Sequence, residues 1–186
     1  MVSIISLLCI VKFCSTLNFA SNSAMYALVV QDKGIDGVWA GFVFGAWAVF
    51  FMLAALSSRV LQKIGNERAI NIAFACQTLG LCVMTVATYL DDQNLFLALS
   101  FGAMIVAGFG SGTSYTMSLS IIYERSPKAD KEKNIGQVEL FYGIGLLTGP
   151  VWASLMITLG GYTLAYASVT IVFFMTSPYI IYQMRQ

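Results

Sequence analysis

The 186-residue chain contains no histidine, and only 10% of its residues are charged. The absence of imidazole removes histidine-based acid–base chemistry and most metal sites. The shortage of charge excludes an ordinary soluble domain, in which about 25% of residues are charged. Cysteine is limited to Cys9, Cys14, Cys76 and Cys82, all inside apolar runs, so neither a disulfide framework nor a zinc spacing is present. A net charge of +1 leaves no footprint for nucleic acid. No enzyme constellation is visible, and no cofactor is implied.

What the chain has in excess is apolar surface: 58% of its residues are hydrophobic, with a mean hydropathy of +0.78. Six apolar segments can be drawn, at about residues 3–30, 38–58, 69–90, 95–123, 135–159 and 162–184. Each is near or above the roughly 20 residues needed to cross a bilayer. The expectation is an all-α integral membrane protein, one six-helix domain over residues 1–186, embedded in lipid. The first run lacks a basic leader and exceeds the length of a signal-peptide core, so it reads as a retained helix.

The charges orient the chain. Arg59, Lys63 and Arg68 lie in the second connection, and Arg125, Lys128, Lys131 and Lys133 in the fourth. Lys12 is near the N-terminus, Arg185 is at the C-terminal end, and Lys33 alone falls on the opposite side. The positive-inside rule therefore places both termini and the even-numbered connections in the cytoplasm.

Polar residues inside the runs mark the candidate site. On the first helix Ser15, Asn18 and Asn22 form one face, with Tyr26 four residues on. Such a stripe serves either a binding cavity or helix packing. Lys12 reads as snorkelling to the cytoplasmic surface rather than meeting substrate. Gly41 and Gly45 form a close-packing face on the second helix. The third is nearly featureless, with Gln77 as its lone strongly polar residue, which suits a peripheral, partly lipid-facing helix. Asp91 and Asp92 cap the turn after it. Ser111, Tyr115 and Ser118 share a face of the fourth helix. On the fifth, Gly145 and Gly149 share a face that lets another helix approach, and Gly143 and Tyr142 lie just before them. Pro150 presses on the carbonyl of Leu146, so a bend is expected there, and Pro178 is a second candidate kink. Glu139 is the one acid well placed inside a helical run. It is either a site group or a cap for its helix, since it lies barely a turn past Gly136.

Three stretches resemble the major facilitator superfamily. Gly145, Gly149 and Pro150 match its fifth-helix antiporter motif, with Ala153-Ser154 where the family often has two glycines. Gly108, Gly110 and Gly112 match its fourth-helix motif, with Met104 in place of an arginine tied to proton coupling. Residues 58–68 sit where the family has a basic loop motif. Gly65 and Lys63 match it, while Ser58 replaces a glycine and Gln62 the aspartate. The run from Glu139 through Gly143 and Gly145 to Gly160-Gly161-Tyr162 is most similar to the vesicular amine and polyamine transporter branch.

The resemblance covers essentially the whole chain and implies the N-terminal six-helix half of a twelve-helix transporter, with an internal three-plus-three inverted repeat. It implies alternating-access transport of a small organic cation. Asn18, Asn22, Ser111, Tyr115, Glu139 and Tyr142 would be the substrate-binding residues. The expected partner is a second six-helix half, a homodimer mate or a larger membrane complex, packed against the second and fifth helices. Two alternatives stand beside this: a degenerate half-transporter acting as a structural subunit, or a truncated chain. For topology, cysteines introduced at Ser126 and in the Asp32–Asp36 turn should label from opposite faces of the membrane; labelling of both from one face would contradict the orientation.

Overall fold

The computed structural model describes residues 4–184. Ser3, the expected start of the first span, and Arg185, one of the orienting charges, lie outside the described residues. Every element among the described residues is helical: α1 (Ile4–Asp32), α2 (Val38–Leu56), α3 (Ser58–Ile64), α4 (Asn66–Ala87), α5 (Gln93–Arg125), a 3₁₀ turn (Lys128–Asp130) and α6 (Lys131–Met184). Five of the described helices are long and apolar enough to cross a membrane. The short helix α3, within the expected basic loop, was not anticipated.

α6 is broken at Gly160 and Gly161 into arms 131–159 and 162–184. Gly161 takes φ 75°, ψ −174°, a conformation open to glycine and strained for other residues. The arms fold back on each other, since Trp152 Nε1 donates to Ser168 Oγ at 2.9 Å across the break. Backbone torsions stay helical through Pro150 and Pro178. The bend expected at Pro150 does not appear as a departure from helical torsions, while the break at Gly160 and Gly161 falls on the connection expected between the fifth and sixth segments.

The connections sort to two ends. At one, Tyr162 Oη donates to Asp32 Oδ2 at 2.7 Å, and Gln93 Nε2 donates to the Lys33 carbonyl at 2.7 Å. Asp92 caps α5 there, accepting from the backbone N–H groups of Asn94 and Leu95. At the other end Asn66 Nδ2 donates to Glu124 Oε2 at 2.9 Å, Arg125 pairs with Glu67, and Gln62 donates to Ser120 Oγ. Gln62, standing where the family has an aspartate, thus joins a polar cluster between the α3–α4 region and the end of α5.

Glycines set how closely the helices approach. In lipid there is no hydrophobic force between helices, so contact depends on van der Waals fit. α5 is the central element. A Cβ at Gly108 or Gly112 would collide with the Trp47 or Phe51 carbonyl of α2, and one at Gly110 with α4 at Ala73. On α6, a Cβ at Gly145 would lie 2.9 Å from the Phe13 carbonyl, and one at Gly149 would lie 2.8 Å from the Ser21 nitrogen. Contacts that rise together from Phe13 to Ser21 and from Gly145 to Gly149 make α1 and the first arm parallel.

This corrects one expectation. Gly145 and Gly149 pack inside the chain, against α1, and are not left for a partner. Gly41, Gly45 and Gly143 meet nothing within 4 Å. Their faces are open among the described residues. Gly149→Val should therefore lower stability by roughly 1–3 kcal/mol through overpacking, while Gly45→Val leaves the melting temperature of the isolated chain unchanged. Thermal unfolding in detergent measures both.

Candidate functional site

α1, α2, α5 and the first arm of α6 line a partly open cavity of about 270 Å³. Lys12, Ser15, Thr16 and Phe19 come from α1, Trp47 and Phe51 from α2, Ser111, Ser114 and Tyr115 from α5, and Tyr142 from α6. The α1 positions follow the i, i+3, i+4, i+7 spacing of one helical face. Phe19 stacks on Trp47 at 4.3 Å between centroids, Trp47 meets Phe51 at 5.2 Å, Phe51 meets Tyr115 at 5.9 Å, and Tyr115 meets Tyr142 edge-on at 6.5 Å. Aromatic rings therefore run from α1 through α2 and α5 to α6. Between them the wall is hydroxylic.

The charge in this cavity belongs to Lys12. Its side chain is 2% exposed, and Nζ sits 3.2 Å from the centroid of the Tyr115 ring and 5.7 Å from that of Tyr142. Both fall within the cation–π range of about 6 Å. Nζ also lies 3.5 Å from Glu139 Oε1, its one hydrogen-bond partner among the described residues. Snorkelling to the surface, expected for Lys12, does not occur. Position 12 lies more than two turns inside α1, where its ammonium meets a carboxylate and two π faces.

Glu139 is likewise not a helix cap. α6 begins at Lys131, four residues before the expected start, which places Glu139 more than two turns inside. The dipole effect fades within the first turn. Its counter-charge is Lys12. The wall is braced from behind: Gln77 Nε2 donates to Ser15 Oγ at 3.2 Å, and Ser15 shares a hydrogen bond with Ser114 Oγ at 3.4 Å. Gln77 is fully buried, while α4 turns Ile72, Leu79 and Val86 outward, as expected of a partly lipid-facing helix.

Of the candidate residues, Ser111, Tyr115 and Tyr142 line the cavity and Glu139 adjoins it through Lys12. Asn18 and Asn22 do not reach the wall; both are buried, with Asn22 Nδ2 donating to Asn18 Oδ1 at 3.5 Å. Tyr26 is stacked on Phe96, away from the cavity. Ser118 spends its hydroxyl on the Ser114 carbonyl of its own helix. Met104, where the family has an arginine, is buried in an apolar cluster beside Tyr26 and Phe96. Sequence reasoning missed Lys12, Thr16, Phe19, Trp47, Phe51 and Ser114. The signal for Lys12 was present: it lies three residues before Ser15, on the same stripe.

A bundle of membrane-length helices with a cavity lined by aromatic rings and hydroxyls marks a multi-pass integral membrane protein. Residues 8–183 match the Major Facilitator Superfamily model, and the chain belongs to that family. It is similar to the MFS-type transporter SLC18B1 of Mus musculus and to that of Rattus norvegicus, each 31% identical over 134 residues. Those segments cover 71% of this chain and 29% of the relatives. The match is consistent with the vesicular amine and polyamine branch.

A double-mutant cycle tests the geometry. Lys12→Met and Tyr115→Leu, alone and together, should show a coupling of roughly 1–2 kcal/mol in reversible detergent unfolding, as for a desolvated cation–π pair. Effects additive within about 0.3 kcal/mol would mean that the two side chains do not interact.

Proposed function

We propose that the chain is a six-helix half of a secondary transporter that carries a small organic cation by alternating access. The observation that carries this reading is the Lys12 ammonium resting on the Tyr115 ring beside Glu139: the cavity accommodates a primary ammonium. Tyr115 and Tyr142 supply π faces, Glu139 the counter-charge, and Ser111 a hydroxyl. Asn18 and Asn22 bond to each other outside the cavity wall.

In this reading the two arms of α6 are separate spans, giving one six-span domain with two inverted sets of three. Both termini face the cytoplasm, from the Lys and Arg distribution. A second six-helix unit completes the pathway, whether further along the same polypeptide, as a second copy, or as another chain. The open Gly41–Gly45 face of α2 supports a contact there.

A second reading is a structural subunit of a larger membrane complex. Two observations favour it: Met104 replaces the coupling arginine, and the chain's own lysine takes the position of the ammonium.

Uptake of radiolabelled spermidine into proteoliposomes, using the chain in the assembly in which it is purified from native membranes, separates the two. Glu139→Gln keeps shape and hydrogen bonding but not charge. It should reduce uptake at least about tenfold, equivalent to roughly 1.4 kcal/mol, and leave the assembly intact. Equal uptake by wild type and variant would remove Glu139 from the site. No uptake by either would favour the structural role.

A further inference from the structure

We infer that Lys12 is a tethered stand-in for the substrate: its ammonium occupies the position that a substrate ammonium takes, and the two compete for Tyr115, Tyr142 and Glu139. The inference rests on the proposed organic-cation site and deepens it.

The geometry around Nζ is that of a cation-binding site. An aromatic face lies 3.2 Å away, a second ring lies 5.7 Å away, and a carboxylate oxygen lies at 3.5 Å. An ammonium has three N–H donors. Lys12 finds one acceptor among the described residues, at the long end of hydrogen-bond range. The ammonium is enclosed but loosely held. The remainder of the cavity, walled by Phe19, Trp47 and Phe51, is empty beside it and suits the apolar body of an organic amine.

Lys12 reaches this position on a flexible four-carbon stem from α1. Rotation of the stem withdraws the charge without moving backbone. With Lys12 seated, the site is neutral and closed to a second cation by like-charge repulsion. With Lys12 withdrawn, Glu139 is unpaired, and an external ammonium restores the balance. A site free about one tenth of the time binds its ligand about tenfold more weakly than the open site. Lys12 thus lowers affinity for cations and keeps the partly exposed Glu139 carboxylate paired when no substrate is present. It also sets the charge selected: the site takes one cation at a time, by exchange.

Equilibrium binding of radiolabelled phenethylammonium to the purified full chain in lipid nanodiscs tests this, with 3-phenylpropionate as a probe of similar shape and opposite charge. Lys12→Met should bind phenethylammonium at least about tenfold more tightly than wild type. Lys12→Arg, which keeps the charge, should stay near wild-type affinity. Adding Glu139→Gln to Lys12→Met should cancel the gain. If Lys12→Met is not monodisperse, Lys12→Gln removes the charge, keeps a hydrogen-bonding group toward Glu139, and should show the same gain. Phenethylammonium binding to wild type that neither neutral variant tightens would overturn the competition and leave the cation site standing. Loss of 3-phenylpropionate binding in Lys12→Met would make Lys12 an anion ligand and overturn it differently. Phenethylammonium binding by no form of the chain would overturn both the cation site and the inference.

Discussion

The close approach of α1 to the first arm of α6 positions the contents of the cavity. Gly145 and Gly149 remove the side chains that would hold the helices apart, and the Phe13, Thr16 and Ser21 backbone and side chains fill the space. Ser21 Oγ then reaches the Gly149 carbonyl at 3.0 Å. Because the helices run parallel in this register, Glu139 comes level with Lys12. Without the glycines the carboxylate and ammonium would stand unpaired on separate membrane-length helices, where an unpaired charge costs several kcal/mol.

α5 organises the other side by the same means. Glycines on two of its faces admit α2 and α4, leaving Ser111, Ser114 and Tyr115 on the face that remains. The close seat against α2 carries Trp47 and Phe51 into line with Tyr115. The seat against α4 brings Gln77 within reach of Ser15. The hydroxyls and rings of the cavity are therefore consequences of helix spacing, and the Lys12–Glu139 pair is the charge that this spacing makes tolerable. Buried pairs contribute little net stability, yet removing one partner is costly. Here the cost falls on Lys12, which is 2% exposed, more than on Glu139, which is 36% exposed.

The outer surface has a different logic. α2 turns Val38, Phe42, Val49, Met52 and Leu56 outward, and its Gly41 and Gly45 meet no neighbour. Apolar side chains there suit lipid. A bare glycine groove suits another helix, because only close van der Waals contact rewards the missing side chains.

Composition and hydropathy alone determined that the chain is a multi-pass membrane protein, because uncharged runs of spanning length have no other stable environment. Motifs on the fourth and fifth runs carried the family resemblance, and of the residues singled out there Ser111, Tyr115 and Tyr142 line the cavity. Tertiary structure decided which helix each glycine face meets: Gly145 and Gly149 meet α1, and Gly41 and Gly45 stay open. It also decided which first-helix residues line the cavity: Lys12, Ser15, Thr16 and Phe19 do, while Asn18 and Asn22 bond to each other off its wall. Periodicity tells which residues share a face but not what lies opposite. A lysine in an apolar run reads as a snorkelling residue until the register of a distant helix sets a carboxylate and two aromatic rings beside it.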